Sequence, residues 1–478
     1  MKKLICGDNL DILDSGAIDT ASVDIIYLDP PFNSNQYYNL PFTTLGKDAS
    51  AVEAFKDIWS WDEATRDLET RLKKERETIA LSTFINDVKM LRGGGDSLSA
   101  YLVNMAIRLN ALKRVMKSTG SIFLHCDPKA SHYLKIIMDT IFGSAGFRNE
   151  IVWCYTGPGS PGVRQFLRKH DNIFWYSVGK TWTFNVDDIR VAHSTKTKEN
   201  YKSGLVGSGF KDADHVIHEK GKVPEDWWQI AIAARGKENL GYPTQKPLAL
   251  LKRIIAAASS EGELVLDPFC GCGTAVHAAE ELHRNWIGID ISRYSVGVIK
   301  NRLRESFEFA LVKQITISGI PADAQSAIEL ARENPWEFEK WACGQLGAKG
   351  LYKRPGAKGA DAGIDGVVEF YADPSDKSYA IIQVKGGNVK PNDVKALYSD
   401  VEGEPLAKAG IFVCFDKFRR TVLNNASTKT FKDTIAGNEW PVIQILTVEE
   451  MLAGVMPRLP NQVIQQGFRT SRSQPTLL

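Results

Sequence analysis

Residues Gly262–Asp290 restrict the fold more than any other stretch of the chain. They read GELVLDPFCGCGTAVHAAEELHRNWIGID: an apolar run, a turn punctuated by Gly271 and Gly273, an alanine-rich helical segment, and a second apolar run ending in Asp290. Strand, glycine turn, helix, strand and terminal acid in that order describe a Rossmann-type βαβ unit. Glycines let the backbone approach a nucleotide-like ligand, and an acid ending the second strand suits ribose hydroxyls. A plain βαβ unit without a ligand is the competing reading.

The partners such a unit needs lie at the other end of the chain. KLICGD ends in Asp8, VDIIYLDPPF carries Asp29, and GSIFLHCD ends in Asp127. If Leu264–Asp267 is the first strand and Trp286–Asp290 the second, these supply the third, fourth and fifth, and the sheet is complete only when the chain is read circularly. VDIIYL is rich in β-branched and aromatic residues, as a central strand is. Pro30 and Pro31 stop its ladder and present Asp29 and Phe32 at the carboxyl edge, where open α/β sheets bind ligands.

The first two-thirds of the chain resembles the S-adenosylmethionine-dependent DNA amino-methyltransferases of the permuted class, in which a DPPF-type motif precedes the cofactor motif. The matching segments are Asp29-Pro30-Pro31-Phe32, GSIFLHCDPKASHYLKIIMDTIFG, the YPTQKP of Tyr242–Pro247, and DPFCGCGT of Asp267–Thr274. The resemblance implies cofactor contacts at Asp8 for the adenine edge, Thr244 and Lys246 for the methionine end, Asp267, Phe269, Gly271, Gly273 and Thr274 around the turn, and Asp290 for the ribose.

The chemistry explains the corner. An exocyclic base amine is a weak nucleophile because its lone pair is delocalised into the ring. Two acceptors, the Asp29 carboxylate and the Pro30 carbonyl, draw it toward tetrahedral geometry, Pro31 stiffens the turn, and Phe32 offers a face to an extruded base. An acid at position 29, where serine is commoner in cytosine N4 enzymes of this kind, favours adenine N6. Cytosine N4 stays open, as does an RNA or protein amine.

Composition bounds the rest. A 478-residue chain with 43% hydrophobic and 24% charged residues and a net charge of +2 is expected to hold two or three domains, with any basic surface local. Seven scattered cysteines fit reduced cytoplasmic thiols rather than a disulfide frame or zinc site, and neither a signal peptide nor a membrane span is indicated. Gly179-Lys180-Thr181 is no phosphate loop, because Phe174 stands where the required glycine belongs.

Residues 1–305 are therefore expected to form the methyltransferase unit. Within it, 50–118 is a helical insertion that packs, and 150–240, with Arg164, Arg168, Lys169 and several tryptophans among glycines, is a target-recognition region for double-stranded DNA. A linker is expected at 306–333, a second α/β unit at 334–455, and a disordered polar tail at 456–478.

In that second unit Asp365 opens one strand, and Gln383 and Lys385 share a face of the next by strand alternation. GADAGIDG followed by IIQVKGG resembles the Mrr-like branch of the PD-(D/E)XK nucleases, with glutamine in place of the usual last acid. The resemblance implies an α/β nuclease-like fold and a Mg2+ site on Asp365, with Glu339 of the preceding helix restoring the lost charge and Lys385 steadying the attacking water or phosphate. Glu337 stands close by. The reading is a bifunctional restriction-modification enzyme; the alternative is a solitary DNA methyltransferase whose C-terminal unit only binds DNA. Oligomeric state is not legible, a homodimer being one possibility.

Overall fold

The computed structural model describes the chain apart from residues 33–35, 41–51, 58, 158–163, 203–216, 234–237, 241, 243, 308–310, 312, 349–363, 374–376, 388, 416–428 and 461–478; for 36–40, 52–57, 200–202 and 391 it gives backbone alone. The amino-terminal elements are β1 (Lys2–Cys6), α1 (Asn9–Asp14), β2 (Val23–Leu28), β3 (Gln36–Leu40), β4 (Val52–Asp57), α2 (Glu63–Lys74), α3 (Ile79–Leu91), α4 (Ser97–Val115), β5 (Met116–Cys126) and α5 (Ser131–Phe142). Then come β6 (Phe147–Cys154), β7 (His170–Ser177), α6 (Thr195–Lys202), β8 (Trp227–Gln229), α7 (Leu248–Ala258), β9 (Leu264–Asp267), α8 (Thr274–Glu281), β10 (Asn285–Asp290), α9 (Arg293–Ser306) and β11 (Thr316–Ser318).

The large sheet has the order β11-β1-β10-β9-β2-β5-β7-β6-β8. Its central strands, β1, β10, β9, β2 and β5, run parallel to one another. Counted from β9 as the first strand, the spatial order is 3-2-1-4-5, the doubly wound arrangement, with its switch point between β9 and β2. The circular reading of the strands holds.

Helices cover both faces, which explains why β2 is apolar apart from Asp24. Val23, Ile26 and Leu28 pack with α4 and α5, whereas Ile25 and Tyr27 pack with α7 and α8, and all six β2 residues are buried. Each such side chain contributes roughly 1.5–3 kcal/mol. Asp24 tolerates burial because Lys117 lies 2.7 Å from one oxygen and the Leu264 amide donates to the other at 2.9 Å. It thereby ties β2 to β5 and β9 and fixes the switch point.

Three boundaries shift. Parts of 150–240 are not an insert: β6 and β7 pair antiparallel with each other and β7 with β5, so their aromatic residues fill sheet positions. The expected linker at 306–333 instead contains β11, which extends the sheet beside β1, and a helix of the second unit. At the tail, Arg458 exchanges two 2.8 Å hydrogen bonds with Gln444 and Leu459 is buried, so packing reaches beyond 456; residues 461–478 lie outside the described residues. The segment 50–118 does supply α2, α3 and α4, with α4 buried against the sheet.

The second unit comprises α10 (Ala324–Glu333), α11 (Pro335–Gln345), β12 (Gly366–Tyr371), β13 (Lys377–Lys385), α12 (Pro391–Gly403), β14 (Ala407–Cys414), β15 (Thr430–Lys432), β16 (Glu439–Pro441), β17 (Ile443–Thr447) and α13 (Val448–Leu452). Its main sheet runs β12-β13-β14-β17, antiparallel at β12-β13 and parallel thereafter. Phe338 and Trp341 of α11 cover Ile382 and Val384 on one face, and Val394 and Leu397 of α12 cover Ile381 and Phe412 on the other. The units meet along α9 and α11, so closely that a Cβ on Gly297 would stand 2.3 Å from the Gly344 backbone.

Candidate active site

The carboxyl ends of β1, β2, β9 and β10 open into a cavity of about 580 Å³. Asp8, Asp29, Pro30, Pro31, Phe32, Thr244, Lys246, Asp267, Phe269, Gly271, Thr274 and Asp290 all line it. Sequence positions up to 282 apart are thus gathered at one sheet edge, as the switch point requires.

Gly273 does not line the cavity. Its backbone is left-handed at φ +76°, and a Cβ there would stand 2.8 Å from Ile299, so packing of the turn on α9 is what demands glycine. Gly271, at φ +51°, faces the cavity beside Tyr242. Its amide donates to Asp290 Oδ2 at 2.7 Å, and the Ser292 amide donates to Oδ1 at 2.8 Å. Burial nevertheless pushes the Asp290 carboxyl up to about 6. Burial also holds Asp267 well above the usual carboxylate range, although the Phe269 amide donates to it at 3.0 Å.

At the other end stands the DPPF corner. Lys246 Nζ lies 2.5 Å from Asp29 Oδ2, while Asp29 Oδ1 is buried without a hydrogen-bond partner. The same ammonium is 3.3 Å from the Thr244 carbonyl and 5.1 Å from the centre of the Phe32 ring. Thr244 holds a left-handed φ of +61°, rare for a β-branched residue, so strain sits in the loop that places the lysine. The geometry sets Lys246 against the acid, in the cavity whose methionine end the resemblance assigns to it.

Asp8 is heavily engaged: its Oδ1 caps α1 by accepting the Leu10 amide at 2.7 Å, and its Oδ2 receives Arg108 at 2.8 Å. Arg108 also donates to Asn9 Oδ1 at 2.9 Å, and Asn9 donates to the Pro268 carbonyl at 2.8 Å, which pins β1 to the glycine turn. Thr274 likewise receives Arg302 at 3.0 Å.

Sequence reasoning missed the layer behind Asp29. His125 is fully buried, with Nδ1 2.9 Å from the Tyr27 hydroxyl and 3.8 Å from Asp29 Oδ1, and Nε2 3.1 Å from Asp171. Burial alone would raise the Asp171 carboxyl, but the His125 hydrogen bond and charge, with Lys246, hold it below its usual value. The signal was present: Tyr27 and His125 precede the acids of adjacent parallel strands, and β7 brings in Asp171 from a segment read as an insert. Among the described residues the cavity also includes Glu337 and Lys340 of the second unit, which no motif announced.

In that unit Asp365 precedes β12. Its amide donates to the Ile382 carbonyl at 2.8 Å, and its Oδ2 accepts the Val384 amide at 2.6 Å. Gln383 is buried with Oε1 lacking a hydrogen-bond partner, and Lys385 is half-buried at the strand end. Alternation sets both on the Ile381 layer. Glu339 comes from the opposite layer, on a helix that passes the strand's carboxyl end, where a Cβ on Gly386 would meet Phe338 at 3.4 Å. Burial, then Asp365 and Glu339, push the Cys343 thiol up, so both acids lie near it.

The family model described as DNA methylase matches residues 23–301. The chain belongs to the DNA methylase family. A second model, described as restriction endonuclease, matches residues 330–435, so an Mrr-like unit follows the methylase unit. The Type II methyltransferase M.HpaI of Haemophilus parainfluenzae is 34% identical over 196 residues, 41% of this chain and 56% of that one. M.BglII of Bacillus subtilis is 30% identical over 209 residues, 42% and 56% respectively. This methylase thus spans a little over half the length of those relatives. The crystal structure of an M1.HpyAVI-SAM complex covers 63% of this chain and 100% of its own at 18% identity, with a TM-score of 0.35. No helix among the described residues is long and apolar enough to cross a membrane, and all seven cysteines are free thiols.

Proposed function

We propose that the chain methylates the N6 amine of adenine in double-stranded DNA with S-adenosylmethionine, and that its C-terminal unit cleaves DNA with Mg2+, as a bifunctional restriction-modification enzyme. The observation that carries the first activity is Asp29 on the cavity wall: one oxygen is held by Lys246 and the other is buried without a hydrogen-bond partner. A buried acceptor without a donor is costly unless a ligand supplies one.

The residues fit the methyl donor. The cavity has the volume of a small-molecule site, with the glycine turn and Asp290 at one end and Asp29 at the other. S-adenosylmethionine supplies an electrophilic methyl on sulfur, which departs as a neutral thioether. Asp29 Oδ1 accepts one N–H of the target amine and the Pro30 carbonyl the other, freeing the nitrogen lone pair. Phe32 stacks on the base. As the carbon–nitrogen bond forms, the nitrogen becomes acidic, and Asp29 is placed to receive its proton. Lys246 on the far oxygen holds that carboxylate, and the hydrogen-bonded Tyr27–His125–Asp171 layer backs it, His125 lying 3.8 Å from Oδ1.

The nuclease residues fit a hard cation. Asp365 and Gln383 offer oxygen donors, Gln383 Oε1 being buried without a partner, and Glu339 is the further acid nearby. Mg2+ would supply Lewis-acid activation at the phosphodiester. Lys385 steadies the phosphate charge. Residues 178–240, together with the loop around Arg164 and Arg168, remain for target recognition.

Mapping of methylated bases in DNA from cells expressing the Asp365→Ala chain tests the reading. N6-methyladenine at one recurring sequence supports it, N4-methylcytosine would correct the base, and no modified base would remove it.

A further inference from the structure

The second unit reaches into the first unit's cavity. Helix α11 places Glu337 and Lys340 on the cavity wall beside Ile291, Ser292 and Arg293, the residues that follow Asp290. Glu337 sits between two cations: Arg293 Nη1 lies 3.2 Å from Oε2 and Lys340 Nζ 3.1 Å from Oε1. All three side chains are partly open, at 31%, 22% and 19%, and Arg293 Nε is buried with no hydrogen-bond partner. The seam behind them is tight, with the Tyr294 hydroxyl donating to the Ala348 carbonyl at 2.7 Å and Gly297 against Gly344. Only a residue without a side chain fits there, so α11 has one seat on α9.

We propose that the C-terminal unit completes the methyl donor's pocket: Lys340 and Arg293 donate to acceptors at the nucleoside end of the donor, and Glu337 positions both cations. This rests on the cavity being the donor site. The nucleoside end is indicated because the cluster adjoins Asp290 at the end of β10, which β9 separates from the strand that leads to Asp29. Ribose hydroxyls and ring nitrogens are hydrogen-bond acceptors, which cationic N–H groups recognise strongly. An isolated surface ion pair between two domains would contribute little and needs no cavity. An Arg–Glu–Lys cluster adds two cationic donors to a wall on which Arg108 and Lys246 are already paired with Asp8 and Asp29.

The same helix carries Glu339 toward the nuclease residues. By thermodynamic reciprocity, donor binding and the seating of α11 strengthen each other. One ligand would thereby bear on both units.

The test is calorimetric binding of S-adenosylhomocysteine to the full-length chain. Lys340→Met and Glu337→Gln preserve side-chain size, and the pair together is expected to weaken binding about tenfold. Lys340→Arg retains the cation and is expected to bind within about twofold of wild type, where a merely bulky role would not distinguish it from methionine. Arg332→Ala, exposed on α10, serves as the control and should leave binding unchanged. Unchanged affinity in the Lys340→Met/Glu337→Gln chain, with wild type binding normally, overturns the inference and leaves the proposed methylation standing. Binding by Lys340→Arg as weak as by Lys340→Met overturns the cationic role alone, and no binding by wild type overturns the inference together with the donor-site reading.

Discussion

Lys246 and Asp29 are 217 residues apart in the chain, yet the ammonium lies 2.5 Å from the carboxylate. The contact joins the YPTQKP loop to the DPPF corner and leaves a single oxygen of Asp29 for a ligand. Lys246→Met should therefore act on catalysis more than on donor affinity. A fall in kcat on the order of 10²-fold, with S-adenosylhomocysteine affinity within a fewfold of wild type, is the expected pattern. A large affinity loss with normal kcat would return the lysine to the methionine end.

His125 lies behind Asp29, 3.8 Å from Oδ1, with Asp171 on its other nitrogen at 3.1 Å, and neither lines the cavity. Asp171→Asn keeps the shape of that layer and removes its charge. It is expected to lower kcat roughly tenfold with little change in donor KM, and to shift the acid limb of the kcat profile. A flat comparison across pH would assign Asp171 to structure alone.

Donor binding should depend on pH through Asp290, raised to about 6 by burial. A carboxylate raised in this way binds its proton more tightly folded than unfolded. Folding stability from this group therefore falls as pH climbs from the usual carboxylate value toward 6, and the ionised form is the strained one. Ribose hydroxyls favour the carboxylate, so affinity is expected to rise between pH 5 and 7, with proton release on binding near pH 6. Calorimetry in buffers of differing ionisation enthalpy measures that proton. Asp290→Asn should abolish the pH dependence.

In the second unit, Asp365→Ala and Lys385→Ala are each expected to eliminate Mg2+-dependent cleavage of a plasmid while methylation persists. Glu339→Ala should reduce cleavage if that acid joins the site at the end of β13. DNA already methylated by the Asp365→Ala chain is expected to resist the wild-type protein, since an enzyme cutting its own mark would destroy its host's genome. Preferential cutting of self-methylated DNA contradicts this.

Gly273→Ala tests the packing argument for the turn. Left-handed backbone and a 2.8 Å approach to Ile299 predict a loss of about 1–3 kcal/mol in thermal or denaturant unfolding, larger than any direct effect on the donor. Unaltered stability with lost binding would restore Gly273 to the cofactor's contacts.

Where residues act through their own strand or turn, the sequence was readable. β2, β9 and β10 carry continuous apolar runs because both faces are covered, and each ends in an acid at the edge where ligands bind. The circular strand order followed from those endings alone. What escaped notice depends on pairing between distant segments. β6 and β7 look like an aromatic insert because their partners are antiparallel and their tryptophans face a core made elsewhere. β11 is three residues long, too short for a periodic signal, and exists because β1 leaves an edge open. Nothing in the helix sequence marks Lys340, and Glu337 stands out only as a neighbour of Glu339; the Gly297–Gly344 seam brings both to the cavity.

The central claim is that Asp29 works on the target amine while the remainder of the cavity holds the donor. The most direct measurement is methyl transfer to DNA by the Asp29→Ala protein, with S-adenosylhomocysteine binding recorded on the same preparation. The expected result is transfer reduced by at least about 10²-fold with donor affinity nearly intact. Transfer retained at wild-type rate would contradict the mechanism at its centre.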